Sequence, residues 1–339
     1  MTEREVAITA FLDTHGWSDA TQTHLAGDAS NRRYRRLRDG DRLAILMDAN
    51  PDLGEDVRPF CTMARHLSAH GLSAPHIHAE DDALGLLLIE DLGNDLFASM
   101  TKVDPTRERA LYLAATDTLI ALHAAPLPEA PDYGFETMTT LAGLAHDWYL
   151  FGATGTKDDT AKARVQETLA DAFATLPVVQ PVLVLRDYHA ENLLWLPDRD
   201  APANVGLLDF QDAGIGHPAY DLMSLARDAR RDVDPATTSA MIAHYARSTQ
   251  TDPDDFTRAC AAVSAQRNLR ILGVFARLSL HYGKAHYVDL IPRTWANLMI
   301  DLAHPAFGAL RQAVVDTLPA PSPQILTVLK SKCGTIPTR

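Results

Sequence analysis

Residues 181–208 carry the pattern that most limits how this chain folds. Three short apolar runs, at 181–185, 193–196 and 205–208, are separated by polar segments. Runs this short suit strands rather than buried helices. The segment between the second and third runs holds Pro197, Asp198, Asp200, Pro202 and Asn204, which are turn formers. The second and third runs therefore read as a hairpin. That hairpin brings Asn192, just before the second run, and Asp209, just after the third, to the same end. Asp187 follows the first run and stands five positions ahead of Asn192.

An Asp, an Asn and a second Asp in this order form the layout that phosphoryl transfer from ATP requires. The first Asp takes or orients the proton of the acceptor hydroxyl, and the Asn and second Asp hold Mg²⁺ against the phosphates. Mg²⁺ takes hard oxygen ligands and only one or two protein carboxylates. Either half of the pattern alone arises by chance. Turn-capping roles in an ordinary sheet explain the residues singly, but neither their pairing nor their spacing.

The bulk composition narrows the class. The chain has 339 residues, enough for two domains or lobes that each bury a core. Its net charge of −13 argues against a partner held mainly through nucleic-acid phosphates. Cys61, Cys260 and Cys333 are far apart and lack metal-ligand spacing, as expected of thiols in a reducing compartment. The opening residues 1–6 show no signal-peptide pattern. The apolar run 84–89 is too short to span a bilayer. The expectation is a cytoplasmic protein with a small-molecule substrate, no nucleic acid, no membrane association and no obligate protein partner.

Along the chain, residues 3–15 suit an amphipathic helix, and 33–37 and 43–47 read as strands. Asp39-Gly40-Asp41 is a hairpin signal between them. Residues 59–70 read as a helix ending at Gly71, and 76–79 and 85–89 as two more strands. After residue 93 the pattern becomes helical, with helices expected at 107–123, 141–151, 157–176, 220–232, 237–249, 255–282 and 293–302. A break is expected near Gly273. The reading is an α+β chain with three parts: a β-rich lobe at 1–92, a helical lobe at 93–318 interrupted by the catalytic hairpin 181–212, and a tail at 319–339 frayed from Cys333 onward.

The residues around Asp187, Asn192 and Asp209 resemble the catalytic centre of the protein-kinase-like fold, in particular the aminoglycoside-phosphotransferase family. Protein kinases carry H-R-D-x-x-x-x-N followed by D-F-G. Here Leu185 stands for the His and Gln211 for the Gly, and both departures argue against a protein kinase. The resemblance implies a small antiparallel sheet above a larger helical lobe, with ATP and Mg²⁺ as cofactors and the nucleotide between the lobes. It implies that the backbone of Glu90, Asp91 and Leu92 meets the adenine, and that the turn containing Gly27, Asp28 and Ser30 covers the phosphates. It also implies a Lys on the third strand paired with a Glu on the next helix. Neither is present: the strand ends Leu46-Met47-Asp48, and 60–67 contains no Glu.

Arg32, Arg33, Arg35, Arg36 and Arg38 crowd around Tyr34. Two readings are open for them. One is a charged edge strand protected from aggregation. The other is a guanidinium, from Arg32, Arg33 or a neighbour, that takes over phosphate binding from the missing Lys. The stretches 27–36, 46–49, 88–93, 185–192, 208–222 and 266–278 together resemble the subgroup of anomeric N-acetylmuramate and N-acetylglucosamine kinases. The similarity runs over about 20–300 and includes the Met in place of Lys.

Further candidates are less constrained. His189, inside the catalytic loop, is a candidate for reaching phosphate or substrate, and Asp212 for supporting the metal site. Arg227 and Asp228 either face the acceptor or lie on a solvated helix face. Asp221 either holds the catalytic loop or caps a helix. Asp147, Trp148 and Tyr149 read as core more readily than as a sugar platform. The sequence leaves the acceptor open between an amino sugar, an aminoglycoside and another metabolite. It also leaves open a pseudokinase that binds without turnover.

Overall fold

The structure is a computed structural model that describes residues 2–25 and 31–337. The chain forms two compact units, Met1–Arg107 with Ala190–Asp212, and Glu108–His189 with Ala213–Arg339.

The first unit is built on a five-stranded antiparallel sheet. Helix α1 (Glu3–Thr14) leads into β1 (Thr21–Leu25), β2 (Arg33–Asp39) and β3 (Arg42–Asp48). Helix α2 (Arg58–Ala69) then precedes β4 (Ile77–Asp81) and β5 (Leu86–Ile89). The strand order is β1-β2-β3-β5-β4. The β2–β3 hairpin turns at Gly40, whose φ of 58° favours glycine. Strand period decides what packs. Leu37, Leu46, Leu86 and Leu88 form one buried cluster with Ile8, Phe11 and Leu12 of α1. Arg35 sits on the same face as Leu37 and is 8% exposed. Its guanidinium reaches Glu5 of α1 at 2.5 Å and Gln22 of β1 at 3.1 Å.

Strand β2 lies inside the sheet, so the edge-strand reading of its arginines is corrected. The true outer strand on that side is β1, whose polar residues 21–24 hid it. In α2, Phe60, Met63, Ala64 and Leu67 are buried at helical spacing.

The hairpin forms as expected, with Leu193–Trp195 antiparallel to Val205–Leu207 and Leu193 opposite Leu207. It clusters with the first unit rather than with the helices that flank it in sequence. The reason is hydrogen bonding. The N–H of Leu207 donates to the Ser73 carbonyl at 2.8 Å, and that of Trp195 to the Asp95 carbonyl at 2.8 Å. The N–H of Ala98, in the short helix Phe97–Val103, donates to the Ala190 carbonyl at 2.9 Å.

The second unit is mainly helical, with a small sheet of Asp132–Tyr133, Gly214–Gly216 and Val182–Val184. The helix Pro253–Leu280 runs 28 residues without interruption. No break occurs at Gly273. A Cβ there would stand 2.2 Å from the Leu144 carbonyl, so this glycine serves a close backbone approach. The helix expected over 141–151 is instead Phe135–Ala142, a π-turn at Ala145–Leu150 and Phe151–Thr154. Tyr149 in that turn is fully buried, as core.

The tail is also ordered. Ser322 caps a helix at Pro323–Ser331. The N–H groups of Gly334 and Ile336 then donate to the Ser279 and Leu280 carbonyls at 2.9 and 3.0 Å. These long-range bonds remove the fraying expected from residue 333, as far as residue 337. Among the described residues, no helix is long and apolar enough to cross a membrane.

Candidate active site

The hairpin positions the candidates of the first unit. The N–H of Leu208 donates to the Asn192 carbonyl at 3.0 Å and ties the two strand ends together. The side chains meet there, with Asn192 Nδ2 3.5 Å from Asp209 Oδ2. Turning the carboxamide over presents its oxygen instead, because the two ends of an amide are nearly equal in shape. A carboxylate and a carboxamide oxygen at this separation form a hard donor pair that fits Mg²⁺.

Asp209 has a φ of 57°, a left-handed conformation uncommon outside Gly, though Asn and Asp enter it more readily than other residues. Such backbone persists where its surroundings hold it. Phe210 is fully buried and stacks on Phe60 with 4.9 Å between ring centroids. Gln211 Nε2 donates to Asp209 Oδ1 at 2.6 Å. Gln211 thus orients a proposed metal ligand from behind, a role the sequence showed only as a departure from D-F-G.

In the second unit, a separate loop carries Asp187. Asp221, fully buried, holds its backbone: Oδ2 accepts from the Leu185 N–H at 2.5 Å and Oδ1 from the Arg186 N–H at 2.9 Å. Loop support is therefore the role of Asp221. The cap position of its own helix is Pro218, which makes no side-chain capping bond. Burial pushes the Asp221 carboxyl up to about 7, while the two N–H donors act in the opposite direction. Arg186 takes a φ of 71°, and its guanidinium lies 4.7 Å over the Tyr133 ring. The Tyr188 hydroxyl donates to the Ala115 carbonyl at 2.8 Å. Asp187, half-buried, sits on this braced turn.

Asp221→Asn puts an NH₂ where a carboxylate oxygen accepts a backbone N–H. We expect it to lower unfolding stability by about 3 kcal/mol, as loss of a hydrogen bond to a buried charged group does. The displaced loop should cost about 10²-fold in turnover. Urea unfolding read beside an ADP-release assay checks both.

The arginines of β2 have separate fates. Arg32 pairs with Glu55 at 2.9 Å. Arg36 pairs with Asp91 at 2.6 Å and donates to Asn94 at 2.7 Å, clamping the turn after β5. Asp91 also accepts from the Gly93 N–H at 3.0 Å. Arg33 and Arg38 are exposed. Met47, in place of the Lys, is 1% exposed. Glu90 pairs with Arg199, and its N–H donates to the His76 carbonyl at 2.8 Å. The Leu92 side chain packs over Gly206, where a Cβ would meet it at 3.1 Å. Gly27, Asp28 and Ser30 lie outside the described residues.

Other candidates take different places. His189 is 5% exposed, and burial, then the nearby Arg230 and Arg267, hold its imidazole well below the usual range. It is a neutral side chain at physiological pH, without a cation to offer phosphate. Asp212 is exposed at the end of the first unit. Arg227 and Asp228 do not lie on a solvated helix face, because the helix ends at Ala226. Arg227 Nε donates to the buried Asp301 at 3.1 Å. Asp301 also accepts from Ser264 at 2.6 Å and Asn268 at 3.0 Å. Arg227 therefore ties its loop to two other helices. Asp228 is 1% exposed and accepts the Arg230 N–H at 2.9 Å. Sequence reading passed over Arg267, a cation on the buried face of the 28-residue helix. Its signal was a charge within an otherwise core-facing stripe.

The architecture is the α+β, protein-kinase-like fold of small-molecule phosphotransferases. A putative aminoglycoside phosphotransferase from Ralstonia eutropha superposes with a TM-score of 0.64, covering 91% of this chain and 98% of its own at 14% identity. The aminoglycoside phosphotransferase APH(2'')-Ib, solved with ADP bound, gives 0.60 over 88% of this chain and 99% of its own at 12% identity. An N-acetylmuramate/N-acetylglucosamine kinase of Caulobacter vibrioides is 39% identical over 346 residues, 91% of this chain and 95% of that one. Residues 21–260 match the model of the phosphotransferase enzyme family. The chain belongs to that family and is a phosphotransferase.

Proposed function

We propose that the chain is an ATP- and Mg²⁺-dependent kinase that phosphorylates the anomeric hydroxyl of an amino sugar such as N-acetylmuramate or N-acetylglucosamine. The observation that carries this reading is the Asn192–Asp209 pair at 3.5 Å across the end of the hairpin, with Asn192 five residues after Asp187. The 39% identity to a kinase named for those two sugars supports the acceptor.

Asn192 and Asp209 hold the metal, and Gln211 keeps the Asp209 carboxylate turned toward it. The charge that a Mg²⁺ ion would supply there offsets the negative charge on the transferred phosphate. Asp187 accepts or orients the proton of the anomeric hydroxyl. That oxygen forms a bond to the γ-phosphorus, the bond from phosphorus to the bridging oxygen breaks, and ADP leaves. Arg33, exposed at the start of β2, and Arg32 beside it neutralise phosphate charge. The backbone from Glu90 to Leu92 meets the adenine through groups other than the Glu90 N–H. Asp212 supports the metal ligands. Most of the rate comes from positioning and electrostatics. The reading puts the protein in the cytoplasm, where ATP is supplied, with no nucleic-acid or protein partner required.

The test is ADP release with N-acetylmuramate, N-acetylglucosamine or kanamycin as acceptor, and ³¹P NMR of the product. Release with the amino sugars and an anomeric phosphate signal are expected. Turnover with kanamycin alone, or Mg-ATP binding without turnover on any acceptor, would overturn the reading.

A further inference from the structure

The helix Ala219–Ala226 carries Asp221 in its first turn, and Asp221 holds the Asp187 loop through the Leu185 and Arg186 N–H groups. A helix of eight residues is too short to be stable by itself, and its cap residue Pro218 makes no side-chain capping bond. Its position therefore depends on what grips it from outside. All of its residues are buried, and at its far end, six positions after Asp221, Arg227 reaches a buried carboxylate. Arg227 Nε donates to Asp301 Oδ1 at 3.1 Å, and the Arg227 carbonyl accepts from Asn297 Nδ2 at 3.2 Å. Asn297 and Asp301 both belong to the helix Ile291–Asp301. Asp301 Oδ2 accepts from Ser264 at 2.6 Å and from Asn268 at 3.0 Å, both on the helix Pro253–Leu280. The Asp301 side chain is 2% exposed.

Stability alone explains this node poorly. Withdrawing a pair of charges from water costs about as much as their attraction returns, so well-packed apolar residues often serve such a position equally well. What the ion pair adds is direction, because bonds of fixed geometry converge where the short helix ends. Asp221 and Arg227 are about 9 Å apart along that helix, so a shift at one end is carried to the other. Ser224, between them, stands with its Oγ 3.5 Å from the Arg186 carbonyl, a second contact to the same loop. We propose that Arg227 and Asp301 are positioning residues for phosphoryl transfer. Their ion pair fixes the helix that, through Asp221, sets where the Asp187 carboxylate stands. The inference rests on the reading of Asp187 as the group that takes or orients the acceptor proton, and it deepens that reading.

The test is a double-mutant cycle on the full chain, with kcat and KM for ATP read by ADP release and the folded state by thermal unfolding. Asp301→Asn and Arg227→Gln should each lower kcat by about 2- to 30-fold, the range for residues that act on a site without touching its ligands. KM for ATP should change little. In an Asp187→Ala background the same substitutions should cost nothing further, because no carboxylate is left to place. Asp301→Asn keeps shape and carries the test alone if Arg227→Gln fails to fold. Penalties that simply multiply with that of Asp187→Ala would overturn the inference. So would variants that lower the thermal midpoint and leave kcat at the wild-type level, since the pair would then serve stability only. A wild type without turnover, or an Asp187→Ala variant within tenfold of wild type, would remove the reading of Asp187 and this inference with it. An impaired Asp187→Ala variant with uncoupled penalties would remove this inference alone.

Discussion

Asp209→Ala is expected to abolish Mg²⁺-dependent ADP release, with a loss on the order of 10³-fold or more, while the fold remains. The reason is local. In the proposed metal site Asp209 supplies the carboxylate, and Asn192, 17 positions earlier with its Nδ2 3.5 Å away, supplies a neutral oxygen once its carboxamide is turned over. Without Asp209, the neutral amide alone is too weak a ligand for a hard divalent cation. The hairpin does not depend on this side chain, because the bonds from Leu208 to Asn192 and from Leu207 to Ser73 are between backbone groups. Thermal unfolding should therefore move little. Asp209→Asn is the companion variant, since it keeps shape and removes charge. Turnover against Mg²⁺ concentration reads both. Turnover at the wild-type level by the alanine variant, at any Mg²⁺ concentration, would remove Asp209 from the metal site.

Asp187→Ala is expected to lower kcat by about 10²–10⁴, with KM for ATP little changed. Asp187 stands on a turn whose geometry is set elsewhere, by Asp221 accepting from Leu185 and Arg186. Its own N–H donates to the Leu185 carbonyl at 2.9 Å, and its carbonyl accepts from the His189 N–H at 3.1 Å. These backbone bonds survive the substitution, so the loss reports the carboxylate. Asp187→Asn separates two contributions: an amide still orients a hydroxyl but cannot take its proton. A small deficit in Asn with a large one in Ala would assign the role to orientation. A single-turnover experiment isolates the chemical step. An alanine variant within tenfold of wild type would exclude Asp187 from either role.

The legible part of this protein was the part built from near neighbours in sequence. The strand at 193–196, its turn and the strand at 205–208 are adjacent, and their hydrogen-bond register follows from run length alone. The side-by-side placement of Asn192 and Asp209 was therefore readable before any coordinates. Gly40 was readable for the same reason, since its turn joins adjacent strands. Arg227 was not. Its partner Asp301 lies 74 positions away, and no periodicity announces a pair at that distance. Gly273 misled because glycine weakens an isolated helix, whereas here it admits the backbone at Leu144.

The amino acids by themselves determined which chemical groups are available and in what order along the chain: a carboxylate, a carboxamide and a second carboxylate on short strands and turns. Only the tertiary structure decided which charges answer one another. It joined Arg32 to Glu55, Arg35 to Glu5 and Arg36 to Asp91, and gave two donors of the buried Arg267 no partner among the described residues. The physical reason is range. Strand and turn geometry arise from backbone bonds between residues close in sequence, whereas an ion pair forms with whichever carboxylate packing brings within a few ångströms.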